Sequence, residues 1–463
     1  MRIVISWVLF LLSATALTAQ MQVTIGDTLV GEKGIVSQQI EDGTIWVVGM
    51  SDSGPEGGVD VMAFRIDTFG NLLTRYFYYG TPYLDYPNNM IYKDGVLTIA
   101  GETHNNGNVD GFILKIDTIG TLLSFQNYGQ SNHSEQFYDI KATQDGGFVV
   151  AGFESSPNLV GNNYLISKFN AQGQQEWMKV HDLGVNDIGV TVVENANGGF
   201  IVAGDQAQTA GNYNVAVIGC DTAGNLLWTK VIANPFNGGC KSMMVHNNEV
   251  IIVGEMATFT SSAFDIYFIR IDWQGNTLWQ GTIPKTNNGD ASFDVVAKGP
   301  NEFYLTGYYY NDTAANTDLF VMALDSVGNI LNERVFGGTN FDMGYDIKIN
   351  PNGGFLITGF STVGNQNQVY VIYDYFTTLT NTQQIPKTTA QPFLFPNPTT
   401  GHLEIPVALQ NYSIAVMDVM GKQLQYHQTA THLELQALAS GVYYITFRNE
   451  QGSLVFQQKV IKQ

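Results

Sequence analysis

Cysteine is nearly absent. Two in 463 residues, Cys220 and Cys240, leave no room for a disulfide-stapled scaffold or a thiolate metal centre. Laid out on the strand pattern below at about 3.3 Å per residue, the two fall on opposite rims. A bridge needs Cα atoms within about 7 Å, so the pair is expected to stay unbridged. Charge is also scarce: only 13% of residues are Asp, Glu, Lys or Arg, against about a quarter in ordinary domains. Within that set 41 acids face 21 bases, for a formal net charge of -20. Such a balance argues against nucleic acid, whose phosphates it would repel, and against unaided binding to anionic membranes. The 7 histidines share no common position. H-E-x-x-H, G-x-S-x-G, a Walker loop and paired C-x-x-C are all missing. No catalytic residue, metal ligand or cofactor is therefore assigned. The nearest approach to a Ca²⁺ loop, Asn105-Asn106-Gly107-Asn108 with Asp110, lacks the distal Glu and reads as a plain turn. A carboxylate pair for glycosidase chemistry stays open, because acids are plentiful and sequence spacing does not place them.

Long apolar runs are missing as well, except at the start. Arg2 supplies a positive end, Ile3 to Leu12 an apolar stretch and Ser13 to Ala19 small residues. Together they read as a signal peptide over residues 1–19. The stretch is too short for a membrane span of about 20 residues, and none follows. No transmembrane segment is expected once the signal is removed.

What the chain does contain is a repeat. Short apolar runs close on Gly49, Gly101, Gly152, Gly204, Gly254, Gly307 and Gly359, and a D/N-x-x-G turn falls at Gly70, Gly120, Gly173, Gly224, Gly275 and Gly328. Both markers recur every 50 to 53 residues. Such a period decides architecture before local propensity does. Each unit reads as four short strands of about 5–8 residues, with β-branched and aromatic runs separated by glycine turns. Apolar residues at helical spacing do not occur. This predicts an all-β chain whose residues 20–376 form a seven-bladed β-propeller. The seventh copy loses its turn at Asp374-Tyr375-Phe376-Thr377, while Gly26 precedes Gly43 by the same 17 residues that separate Gly129 from Gly146, which puts Gln22 to Ile25 in the outer-strand position. The N-terminal strand is therefore expected to complete the last blade and seal the ring. Thr380 to Ile385 is the alternative for that strand.

Repeated side chains read as structural. Trp177, Trp228 and Trp279 share one slot and predict packing on outer strands. Asp139, Asp294 and Asp346 open successive units and are expected to hydrogen-bond a neighbouring turn. Function is expected where copies differ, on loops above a rigid scaffold: Ser51 to Val59, Glu102 to Val109, Glu154 to Asn162, Asp205 to Tyr213, Met256 to Phe264 and Tyr308 to Thr317. Tyr76 to Tyr79 and Tyr308-Tyr309-Tyr310 are aromatic concentrations that suit a carbohydrate or peptide, with strand packing the competing explanation. The binding residues themselves are not assigned.

Residues 377–392 read as a linker, rich in Thr and Gln with no apolar period. A tail of residues 393–463 follows, with six or seven short strands between glycine turns, which suggests a small immunoglobulin-like β-sandwich. It carries Pro396-Asn397-Pro398 with Gly401, Asp418 with Gly421-Lys422, Leu438 through Ser440-Gly441-Val442-Tyr443, and the terminal Lys459 and Lys462. This set closely resembles the type A C-terminal sorting domain of the type IX secretion system of Bacteroidetes. The resemblance implies that Pro396, Asn397, Pro398, Gly401, Asp418, Gly421, Lys422, Gly441, Tyr443, Lys459 and Lys462 belong to the sorting signal. It further implies docking on the outer-membrane translocon and removal by a sortase-like peptidase, with the passenger secreted or displayed on the cell surface after crossing the periplasm and outer membrane. The passenger is expected to bind an extracellular glycan, peptide or envelope component. A polysaccharide hydrolase or lyase with acids at the central channel, and a structural or adhesive surface protein, are the alternatives.

Overall fold

The computed structural model describes residues 21–376, apart from 28, 56–57, 106, 158–160, 185, 210–211, 233–236, 259–260, 284 and 287, and residues 399–462, apart from 406–408, 410–411, 419–421, 430 and 450–453. The expected signal peptide, the linker with Thr380 to Ile385, and Pro396, Asn397, Pro398 and Gly421 lie outside the described residues. Among those described there is no α-helix. The chain divides into two compact units, Met1–Thr377 and Thr378–Gln463.

In the first unit the strands gather in antiparallel groups of four. Group 3 runs Ser134–Ala142, Phe148–Ser155, Asn162–Phe169 and Gln175–His181, in that spatial order. Groups 1, 4, 5 and 6 (32–79, 187–232, 238–283 and 290–336) are separate four-stranded sheets. Group 2 (84–128) meets group 3 through a single parallel bridge between Ser134 and Val109. Group 7 takes three strands from Asp342–Ile349, Phe355–Val363 and Gln366–Asp374, and its fourth from Met21–Ile25. There Met21 lies opposite Tyr373 and Ile25 opposite Val369.

Burial explains the sequence pattern. Middle strands are apolar almost without alternation because both faces are covered, as in Phe148–Ser155, where only the last residue is not buried. Fourth strands such as Gln175–His181 are half-exposed throughout. Each hydrophobic cluster of this unit straddles two consecutive groups. Val149, Ile166, Val202 and Ile218 join groups 3 and 4. Val23 and Val371 of group 7 meet Val47 and Phe64 of group 1. No group covers its own apolar faces, so the repeat is the packing unit only in company.

In groups 1 to 6 the D/N-x-x-G turns close the third strand on the fourth. At Asp221 the carboxylate accepts the amides of Ala223 and Asn225 at 2.9 and 2.8 Å, and Gly224 takes a φ of +75°. The tryptophan of the preceding group lies over that glycine. A Cβ on Gly224 would stand 2.5 Å from the Trp177 ring, and Gly275 and Gly328 face Trp228 and Trp279 in the same way. Cys220 ends a third strand, and Cys240, beyond the fourth strand of group 4, sits inside the first strand of group 5. Both thiols are buried and free.

The second unit holds two sheets, one ordered 402–404, 432–434, 427–428 and one ordered 423–424, 413–417, 441–448, 454–462. Leu403 and Leu433 of the first sheet share one core with Val416, Ile445, Phe447 and Val460 of the second.

Candidate functional site

All seven groups carry the same irregularity. The first strand of each bulges at one shared position, leaving a residue without a partner on the second strand: Ile35, Asn88, Tyr138, Val190, Lys241, Phe293 and Tyr345; the first strand of group 6 shifts register again between Ala297 and Gly299. A bulge turns its side chain away from the ladder, and none of these seven is fully buried. They form one row of positions, the bulge row. The residue after each makes a second row, which includes Asn89, Asp139, Thr191, Ser242, Asp294 and Asp346, the aspartate row.

The aspartate row is saturated with hydrogen bonds. Asp139 is 3% exposed. It accepts from Asn89 Nδ2 at 2.6 Å and Lys141 Nζ at 2.9 Å. Its other oxygen accepts from Thr191 Oγ1 at 2.7 Å and the Val192 amide at 3.1 Å. Asp294 accepts from Ser242 Oγ and the Ile347 amide, and Asp346 from the Ser37 amide. These aspartates therefore bind the backbone of the next first strand, not a neighbouring turn as expected. The reason is geometric: one edge of each first strand is paired within its own sheet, and the other edge has free amides to satisfy. Burial alone would lower the Lys348 ammonium, but Asp346 and Asp294 beside it hold it up at about 12. A cavity of about 570 Å³ lies along this row, lined by Lys141, Gln144, Glu194, Met244, Asp294 and Lys348.

The bulge row is chemically different. The second strand contributes the residue after each repeat glycine, including Glu102, Phe153, Asp205, Glu255, Tyr308 and Phe360, and these meet the bulged residues. Lys241 Nζ lies 2.9 Å from Glu255 Oε1 and 5.9 Å from the centre of the Phe293 ring. Aromatic contacts continue from Phe293 to Tyr308 (5.8 Å) and Tyr345 (5.3 Å), and from Tyr345 to Phe360 (5.7 Å). Lys33 Nζ stands 5.1 Å over Phe360. On the other side Tyr138 packs on Phe153 at 5.9 Å.

Acids converge here. A Cβ on Gly239 would lie 3.5 Å from Glu255 Oε1, 3.6 Å from Lys241 Nζ and 3.8 Å from Asp205 Oδ2, so the two carboxyl groups and the ammonium border the same position. Burial pushes Asp205 up to about 6, with Glu255 adding to the shift, although the Cys240 amide and Lys241 oppose it. Burial, then the charges of Glu102 and Asp205, push the Tyr138 hydroxyl well above the ordinary phenol. Burial and the Glu255 charge push Tyr308 up to about 12. The arrangement offers flat apolar faces beside a carboxyl that burial holds above the ordinary carboxylate range, a second carboxylate and an ammonium.

Of the aromatic concentrations picked from sequence, Tyr308 joins this row. Tyr309 stacks on Phe320 at 4.3 Å and 7°. Tyr76 packs edge-on against Phe64, and Tyr79 donates to the Gly120 carbonyl at 2.6 Å. The bulged residues went unrecognised in the sequence. Their only signal was variability at the residue after each repeat glycine, where Glu102, Asp205 and Tyr308 already stood at the start of the expected variable loops. Asn105 and Asn108 pair across a hairpin, with Asn108 Nδ2 donating to Asp110 Oδ1 at 2.8 Å.

In the tail, Gly401 has a φ of +123°, and a Cβ there would meet Gln436 Cα at 3.0 Å. Asp418 closes a turn by accepting the Lys422 amide at 3.0 Å. Tyr443 donates to the Ala439 carbonyl at 2.6 Å. Gly441 pairs with Lys462, which also bridges Thr399, while Lys459 pairs with Tyr444. Gly441 and Lys462 are thus neighbours, and Asp418 with Lys422 sits on a separate turn.

Residues 393–463 match the secretion system C-terminal sorting domain. The sorting domain marks the chain for export by the type IX secretion system, to the cell surface or the medium. No curated protein matches the chain. Among solved structures, it resembles the endosialidase of phage phi92 at 10% identity over 96% of this chain and 87% of that one, with a TM-score of 0.44. It resembles a PL25 ulvan lyase at 10% identity over 74% and 94%, TM-score 0.46. It also resembles the β-propeller domain of the Trilobed protease from Pyrococcus furiosus at 7% identity over 76% and 98%, TM-score 0.42. The described residues are all-β, with no helix among them.

Proposed function

We propose that the protein is an exported, seven-bladed β-propeller of a Bacteroidetes cell, sealed by its N-terminal strand, that binds an extracellular glycan along its bulge row. Closure is supported by the pairing of Met21–Ile25 in group 7 and by the hydrogen bond from the Ser37 amide of group 1 to Asp346 of group 7. In that ring the two rows lie at successive depths of a central channel. The observation that carries the binding reading is the run of contacts from Asp205 and Glu255 through Lys241 to Phe293, Tyr345 and Phe360. Aromatic faces receive the apolar faces of sugar rings, and carboxylates accept from their hydroxyls.

The second reading is a hydrolase or lyase. It is favoured by one feature, the raised carboxyl of Asp205 beside Glu255, a pairing suited to general acid chemistry. Arrayed glycans and peptides incubated with the full-length protein separate the readings. Saturable glycan binding lost in Asp205→Asn supports the first. Turnover of an arrayed glycan supports the second, and binding of peptides alone removes the glycan.

Export rests on the tail, whose turn and strand-end residues, Gly401, Asp418, Lys422, Gly441, Tyr443, Lys459 and Lys462 with Pro396, Asn397, Pro398 and Gly421, are proposed to form the surface read by the translocon and a sortase-like peptidase after passage through the inner membrane. Deleting Phe393–Gln463 is expected to leave the first unit folded in the periplasm. Normal amounts of the truncated protein in the medium would refute this.

A further inference from the structure

Histidine is rare in this chain, yet three of the 7, His402, His427 and His432, meet on one sheet of the second unit. The register places them. Strand 432–434 is the middle of three, and Glu434 lies opposite His402 on one side and His427 on the other. Directly opposed residues share a face of a sheet, and so do residues two apart along a strand. His402, His427, His432 and Glu434 therefore stand on one face. Leu403 and Leu433 alternate to the other face and are fully buried in the core there.

Two of these imidazoles are held through the same nitrogen. His402 Nδ1 stands 2.5 Å from Glu434 Oε1. A carboxylate only accepts, so Nδ1 carries the proton, and Nε2 of the neutral ring keeps its lone pair. His432 Nδ1 stands 2.7 Å from Thr431 Oγ1, a hydroxyl that can accept in the same way, and the His432 amide donates to Thr429 Oγ1 at 3.0 Å. The two rings lie side by side, with 4.6 Å between centres and 38° between planes. Among the described residues neither Nε2 has a hydrogen-bond partner. Neither ring is closed to solvent, since both residues are half-buried. An imidazole fixed at Nδ1 with Nε2 free is the form in which histidine ligates a metal, because the outer contact sets the tautomer and aims the other nitrogen. As the side chains lie, no three His, Cys, Asp or Glu groups among the described residues could hold an ion. The pair is a two-point clamp, and the exposed His427 on the neighbouring strand can turn toward it.

We propose that His402 and His432 bind a divalent ion of the zinc, nickel and copper class through Nε2, with Glu434 orienting His402, His427 supplying a third nitrogen and water completing the shell. Imidazole nitrogen suits these ions, whereas calcium and magnesium take oxygen. The ion ties His402–Glu404 to His432–Glu434, two strands of three residues each. The site is independent of the bulge row and stands or falls separately from glycan binding there.

The test titrates the untagged full-length protein with zinc chloride, nickel chloride and calcium chloride in a calorimeter. Saturable binding of zinc or nickel, weakened in acid because a protonated imidazole cannot ligate, supports the proposal. His402→Gln and His432→Gln are each expected to lower affinity by about tenfold or more, and His427→Gln by a few-fold. Glu434→Gln keeps an acceptor for Nδ1 without its charge and is expected to cost about tenfold. The four side chains lie on the face away from Leu403 and Leu433, so folding is retained. Should a variant nevertheless fail to fold, the wild type decides: zinc is expected to shield His402 and His432 from diethyl pyrocarbonate, read by peptide mass spectrometry. The proposal is overturned by absence of saturable zinc or nickel binding, by binding unchanged when His402 and His432 are both replaced by Gln, by calcium binding there in preference, or by zinc that leaves both histidines reactive.

Discussion

The bulge row and the aspartate row stand on the same seven strands, one residue apart, yet they have opposite electrostatic characters. Asp139 receives donors on both oxygens from two neighbouring groups. Asp205 is also burdened by burial, but it has one backbone donor and a second acid nearby, and its carboxyl rises to about 6. A buried charge that is fully paired holds sheets together. One that is left under-served is retained at a cost, which is the usual mark of a site for something else. The difference therefore separates scaffold from binding surface between the first strand of one group and the second strand of the next.

The comparison can be broken most forcefully at Asp139. Asp139→Ala strands Lys141 and the Val192 amide in a buried network, and is expected to cost about 3–5 kcal/mol. Urea unfolding of the full-length protein measures it. A loss below about 1 kcal/mol would remove the structural reading of the aspartate row.

A smaller effect sharpens the contrast through pH. The folded-state carboxyl of Asp205 is raised above the ordinary carboxylate value of about 4. Its contribution to stability is present in full below about pH 4 and is lost as pH rises through about 6. Asp205→Asn lacks this dependence. Relative to wild type, the variant is expected to gain roughly 1–2 kcal/mol between pH 4 and 7. Parallel pH profiles for the two proteins would show that Asp205 titrates normally.

Much of the fold was readable from glycine alone, and the reason is steric. Gly152 and Gly204 lie opposite the bulges. A Cβ on them would stand 1.7 Å from the Gln136 carbonyl oxygen and 1.9 Å from that of Ile188. Every copy must therefore keep glycine there, so the period is printed in the sequence. The turn glycines recur for a second reason, a positive φ, and Gly224, Gly275 and Gly328 also lie beneath a neighbouring tryptophan. The bulges themselves leave no such mark. A bulge is a matter of hydrogen-bond register, and any residue fits, from Val190 to Lys241. The candidate site was illegible for the same reason: its residues come one or two from each repeat and meet only when successive sheets stand side by side. Position in the chain places Asp139 and Asp205 in consecutive repeats; only the register shows that one lies on the first strand and the other on the second, facing different rows.

The most direct test measures thermal unfolding and glycan-array binding together for Asp139→Asn and Asp205→Asn in the full-length protein. The bulge-row account predicts a lowered unfolding midpoint with binding kept for Asp139→Asn, and a midpoint unchanged or raised with binding lost for Asp205→Asn. The opposite pairing would contradict it.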